Sequence, residues 1–307
     1  MVFEFDRKID IWCGKPQSAV YSWWVLMAAL IFDCDPTLFY PDRDVDDSLA
    51  LGYALRKFKG EVELVGVTTV FGNNSADLTY RDARRIVEVA GEDVPVMRGA
   101  ASRGELGRPS DAAEFIVEKS REYGEVEFLA TGPLTNVATA YMLDEELVDR
   151  VGRVVIMGGA VFRRGNVPAS DAEFNFWSDP AAASMVVESF RNVVLAPLDI
   201  TMRVRWRVET LEPLGRSRDP LARFLYEAAM PWAVSQSRLG GFHPHDVVAA
   251  VYLVRSDLYS TRRVEIAVST REPGRGKVIV GLGGREVLML ESLDQEGFLN
   301  EYLSAFG

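Results

Sequence analysis

A chain of 307 residues, 48% apolar and 26% charged, can bury a full core and is not the composition of a disordered protein. Its formal charge of −11 provides no basic footprint for a polyanion, which excludes nucleic acid as a partner class and leaves uncharged small molecules open. Two cysteines, Cys13 and Cys34, are too few for a disulfide framework and fit a reducing cytoplasm.

Residues 1–27 read as an N-terminal extension, and residues 28–307 as one domain. The apolar run from Val20 to Phe32 is cut off by Asp33 and Asp35, short of the roughly 20 residues a bilayer needs, so no membrane association is expected. No basic start with a small-residue cleavage site marks a leader. Short apolar, β-branched runs then alternate with helical periodicity. The patterns predict strands over 28–33, 62–68, 94–97, 126–131, 154–157 and 193–195, with helices over 46–58, 76–90, 111–123 and 180–190. Beyond Trp206 they predict helices over 219–237 and 246–255, strands over 264–269, 277–280 and 286–290, and a last helix over 294–305. Unbroken apolar strands belong to a parallel sheet covered on both sides. The expected class is α/β: a doubly wound, mostly parallel central sheet with helices on both faces. In such sheets ligands gather at the carboxyl ends of the strands.

The polar residues at those ends carry the candidate chemistry. The first strand ends in Asp33 and Asp35, and Asp46-Asp47 opens the next helix. Converging carboxylates are what a hard divalent cation requires, although an acidic pair at a helix start also caps the helix. The fourth strand runs into Thr131-Gly132-Pro133, a tight turn that exposes backbone carbonyls. After the fifth strand, Asn166, Glu173 and Asn175 offer donors and acceptors suited to sugar hydroxyls, or simply a solvated loop. The second of two histidines, His245, directly precedes Asp246 at an apparent helix start. That pair reads either as a proton donor beside a metal ligand or as another cap.

Taken together, the segments DCDP, DDSLAL, LVGVTTVFGN, LATGPLTNVA, VVIMGGAV, RGNV, AEFNFWSDPAAA, PLDIT and PHD resemble the inosine-uridine preferring nucleoside hydrolase family. The likeness runs from Ile31 to the C-terminus. It implies an α/β hydrolase that cuts the N-glycosidic bond of a small-molecule ribonucleoside in purine and pyrimidine salvage, works as a homodimer or homotetramer, and holds one Ca²⁺ per site. Matched motif by motif, Asp35, Asp47, Asp246 and the Thr131 carbonyl are implied to hold the metal, and the metal with Asp35 to activate the attacking water. Asp33 is implied to support Asp35. Asp46, Asn73, Asn166, Glu173 and Asn175 are implied to hold the ribose, with His245 on the nucleobase side. Acidic residues around C1′ suit an oxocarbenium-like sugar, a proton donor suits a poor leaving base, and Tyr226 and Trp232 on the preceding helix are candidates to stack on the ring.

Two departures stand out. The family passes from its Asp-Pro-Gly turn through one residue to the acidic pair, whereas here residues 37–45 intervene, about seven more, and Thr37 replaces the Gly. This insertion either bulges away and returns Asp46-Asp47 to the usual place or alters the site. One extra residue also separates Asn166 from Glu173. Two rival readings follow: a catalytically altered nucleoside- or ribose-binding homologue, and a haloacid dehalogenase-like phosphatase in which LIFDCDPTL supplies Asp33 as nucleophile. The second also needs a downstream lysine in a fitting setting, and lysines are scarce.

Overall fold

The computed structural model describes residues 28–307 apart from Glu61, Ala169 and Leu282, so the extension expected over 1–27, with Cys13, lies outside the described residues. The strands are β1 (Ala28–Cys34), β2 (Val62–Thr69), β3 (Val96–Arg98), β4 (Val126–Ala130), β5 (Val151–Met157), β6 (Val193–Ala196), β7 (Tyr259–Val268), β8 (Val278–Val280) and β9 (Arg285–Leu293). They form one sheet in the order β3-β2-β1-β4-β5-β6-β9-β7-β8. All pairs from β3 to β9 are parallel, and β7 runs antiparallel to both β9 and β8.

The α-helices are α1 (Asp46–Lys57), α2 (Ala76–Ala90), α3 (Asp111–Tyr123), α4 (Thr135–Leu143), α5 (Phe174–Ser178), α6 (Pro180–Ser189), α7 (Leu198–Thr201), α8 (Val208–Arg216), α9 (Pro220–Gln236), α10 (His245–Tyr252) and α11 (Gln295–Ser304). β1 shows why the sheet is covered twice. Side chains alternate along a strand, so Leu30, Phe32 and Cys34 join a core with α1, α2, α9, α10 and α11, while Ala29 and Ile31 join a second core with α3, α4 and α6. This is the doubly wound arrangement expected. No helix among the described residues is long and apolar enough to cross a membrane.

The sequence patterns did not reveal α8, whose interior Pro213 reads as a helix breaker. Strand β7 begins five residues before the predicted 264, because its first half is solvent-facing and reads as polar although it pairs with β9.

The insertion bulges away and returns. Leu38 enters the core and its N–H donates to Asp82 Oδ2 on α2 (3.2 Å), while the Phe39 N–H donates to the Ala228 carbonyl on α9 (3.2 Å). The Phe39 ring meets Phe224 edge-on at 5.6 Å. On the way back, the Thr37 hydroxyl donates to the Asp44 carbonyl and the Ser48 hydroxyl to the Thr37 carbonyl (2.7 Å). Asp44 Oδ1 then accepts from the Val45 and Asp46 N–H groups (2.8 and 3.4 Å). Asp44 thus ties down the turn that leads into α1, whose N-cap, Val45, makes no side-chain capping bond.

Candidate active site

From β1 the chain proceeds to β2 and β3 on one side and to β4, β5 and β6 on the other. The crevice at the carboxyl ends of β1 and β4 is therefore the topological switch point. Asp35 follows β1, Asn73 follows β2, Thr131 follows β4, and the first turns of α1 and α10 bring Asp46, Asp47, His245 and Asp246 to the same place. The cleft is small, about 110 Å³, and larger hollows of about 390 and 480 Å³ lie elsewhere. Chemistry singles it out: Asp46, Asp47, Asn73, Thr131, Asn166, Glu173, Asn175, His245 and Asp246 all line it. Asp35 is buried directly against Asp47, whose Oδ1 accepts its N–H (3.2 Å).

Tyr226 and Trp232 are the exceptions. Neither lines the cleft, and both pack against the helical core, with the Tyr226 ring over Gly215 of α8. The stacking expected of them is not part of this cleft. Asp44, Met157 and Phe174 line it without having been anticipated. Only Asp44 carried a signal, as one more acid in an insertion beside the acidic pair.

Each buried acid has defined partners. Asp33 Oδ1 accepts from the Thr68 hydroxyl (2.6 Å) and from Asn136 Nδ2 (2.7 Å). It is fully buried at the end of β1, tied to Thr68 on β2 and Asn136 on α4. Asp47 Oδ1 also accepts from the Thr131 hydroxyl (2.6 Å), and its Oδ2 accepts from Asn73 Nδ2 (3.1 Å). Asp46 Oδ2 accepts the Asp246 N–H (3.2 Å). Glu173 spends both oxygens on backbone N–H groups, Oε1 on Asn175 (2.7 Å) and Oε2 on Gly159 (3.0 Å) and Phe176 (3.1 Å), so it caps α5 while lining the cleft.

The donor set fits a hard divalent cation. Asp46, Asp47 and Asp246 each offer an oxygen within 4.8 Å of the others, and Asp35 Oδ1 is buried with no hydrogen-bond partner among the described residues. The backbone makes room for Asp35, since a Cβ on Gly72 would lie 1.9 Å from its Oδ2 and one on Gly132 3.1 Å from its Oδ1. The trio that converges includes Asp46 in place of Asp35. The Thr131 carbonyl accepts from Asn175 Nδ2 (2.7 Å), which leaves its second lone pair for another partner.

Burial pushes Asp35, Asp46 and Asp246 well above the usual carboxylate range, with neighbouring carboxylates adding to it, and it raises Asp47 as well. Asp44 rises to about 6 for the same first reason. Asp33 is pushed up to about 7 by burial, against the lowering hydrogen bonds from Thr68 and Asn136 and with a further push from the Asp47 charge. Between 3.8 and about 7 the folded chain thus holds a proton that the unfolded chain has released. Its contribution to stability is present below that window and lost as pH rises through it. We expect the metal-free protein to lose thermal stability as pH rises from 3.8 towards about 7, and a divalent cation bound by these acids to restore it at the higher pH by supplying countercharge. Scanning calorimetry with chelator and with Ca²⁺ checks this; a metal-free stability that rises over the same interval contradicts it.

His245 is held neutral. Burial, then the nearby His243 and Arg163, lowers it to about 3. At neutral pH it can donate a ring N–H to a leaving base, but it does not carry the extra proton of an imidazolium.

Comparison with known proteins agrees with this geometry. Residues 30–300 match the family described as inosine-uridine preferring nucleoside hydrolase, and the chain belongs to that family. It is 34% identical over 274 residues to uridine nucleosidase 1 of Arabidopsis thaliana, covering 79% of this chain and 78% of that one. Over 298 residues it is 30% identical to the non-specific ribonucleoside hydrolase RihC of Escherichia coli, covering 86% and 95%. Among solved structures, a plant nucleoside hydrolase superposes with a TM-score of 0.80 at 26% identity, over 91% of this chain and 99% of that one. The purine-preferring ribonucleoside hydrolase from Gardnerella vaginalis gives 0.78 at 26% identity, over 91% and 98%. The chain is thus a nucleoside hydrolase family enzyme, and the phosphatase reading falls away.

Proposed function

We propose that this chain hydrolyses ribonucleosides to ribose and free nucleobase with Ca²⁺ as cofactor, residues 28–307 acting as one unit within a homo-oligomer. The observation that carries the reading is the meeting, in one cleft, of the Asp46, Asp47 and Asp246 carboxylates with the polar side chains of Asn166, Asn175 and His245. When bound, Ca²⁺ supplies the Lewis acidity that makes water a competent nucleophile near neutral pH. Asp47, Asp246, Asp35 and the Thr131 carbonyl would hold it, with Asp46 within reach. Asp35, through its unpartnered Oδ1, takes the proton of the attacking water. Asp46, Asn73, Asn166 and Asn175 hold the ribose hydroxyls, with Glu173 towards the 5′ end, and the surrounding negative charge favours the cationic sugar. His245 donates its N–H to the departing base.

The same acidity sets the substrate class. A 5′-phosphate placed beside Glu173 and the aspartates meets like charge, a mismatch of several kcal/mol, so nucleoside 5′-monophosphates should turn over at least about 100-fold less efficiently than nucleosides. Chromatographic measurement of base release from uridine, inosine and their monophosphates tests the proposal; equal kcat/KM for the two classes overturns the placement of Glu173.

A further inference from the structure

His243 and His245 lie two residues apart with ring centroids 5.6 Å from each other, yet their partners dictate opposite ring protons. For His243, Nδ1 faces the Val204 carbonyl at 2.6 Å and Nε2 faces Arg205 Nη2 at 3.2 Å. A carbonyl only accepts and a guanidinium only donates, so the His243 proton sits on Nδ1. For His245, Nδ1 faces the Thr201 hydroxyl at 2.7 Å. Thr201 is fully buried at the end of α7, and among the described residues its hydroxyl makes no other hydrogen bond. If Nδ1 carried the ring proton, the hydroxyl hydrogen would be buried with no acceptor, a costly arrangement. The hydroxyl therefore donates to Nδ1, and the ring proton is left on Nε2, the nitrogen with no partner among the described residues, on a side chain that lines the cleft.

We infer that Thr201 fixes the ring proton of His245 on Nε2 and so is the positioning residue that makes this histidine a donor towards the cleft. A nucleobase that carries an acceptor, a carbonyl oxygen or an unprotonated ring nitrogen, is the chemistry such a donor recognises. That consequence rests on the proposed hydrolase reading; the tautomer does not.

The full chain labelled with ¹⁵N provides the test, because it has only two histidines and long-range proton–nitrogen spectra separate protonated from unprotonated ring nitrogens. The expected result is opposite patterns: proton on Nδ1 for His243 and on Nε2 for His245, with His243→Gln removing the first set and so assigning both. Thr201→Val should abolish the fixed pattern of His245 alone, and Thr201→Ser should keep it. On uridine or inosine, Thr201→Val should lower kcat about tenfold or more with KM nearly unchanged, and Thr201→Ser should stay close to wild type. A His245 proton on Nδ1 in the wild-type chain, or a Thr201→Val spectrum identical to wild type, overturns the inference. If the wild-type chain cleaves no nucleoside, the hydrolase reading fails while the nitrogen spectrum still decides the role of Thr201.

Discussion

Replacing Asp47 with alanine is expected to abolish ribose release from every nucleoside. The Asp47 carboxylate accepts hydrogen bonds from the Asp35 N–H, the Thr131 hydroxyl and Asn73, and it belongs to the converging trio with Asp46 and Asp246. On the proposed reading its loss removes a cation ligand and loosens Asp35 together. Electrostatic assistance from a bound cation is worth several kcal/mol, and about 1.36 kcal/mol is a decade in rate, so the loss should be about 10³-fold or more. The effect on stability should run the other way. In the metal-free chain Asp47 is one of several buried carboxylates that repel one another, so Asp47→Asn should melt higher than wild type in chelator and gain little from added Ca²⁺. Calorimetric Ca²⁺ titration of both variants alongside the activity assay separates these effects; an Asp47→Asn protein with wild-type Ca²⁺ affinity would remove Asp47 from the ligand set.

The second large effect is expected at His245. On the proposed reading this neutral donor stabilises negative charge on the departing base by a hydrogen bond, comparable to an oxyanion-hole contact. His245→Ala should therefore lower kcat on uridine and inosine by about 10²–10³ and leave Ca²⁺ affinity nearly unchanged. With a nitrophenyl riboside, whose leaving group needs no proton, the loss should shrink to a few-fold. Because burial keeps the ring neutral, any limb of the kcat profile near the ordinary histidine value of 6.5 should persist in His245→Ala. Equal losses on both substrates would recast His245 as a support for Asp246.

What the sequence disclosed followed from local signals. The runs that became β1, β4 and β5 are apolar on both faces because helices cover both, so the sheet was visible before any contact was known. A doubly wound sheet binds at its strand ends, which pointed to the polar residues after β1, β4 and β5, while their individual roles came only from the family resemblance. The path of the insertion was not readable, because it is decided by distant partners: Asp82 for the Leu38 N–H, and Ala228 and Phe224 for Phe39. Asp44 was missed for the same reason, since its place in the cleft depends on how that loop returns. Tyr226 and Trp232 illustrate what spacing leaves open. Position on a helix before the site suggested stacking, but rotation of α9 directs Tyr226 onto Gly215 of α8. Sequence spacing alone does not fix that rotation.

The most direct test is ribose release from uridine and inosine by the purified full chain, measured as isolated, after exhaustive chelation, and after stoichiometric Ca²⁺ is returned. The account predicts release that chelation removes and about one Ca²⁺ per chain restores. Release that persists unchanged after chelation, in protein shown by elemental analysis to contain no divalent cation, would contradict it.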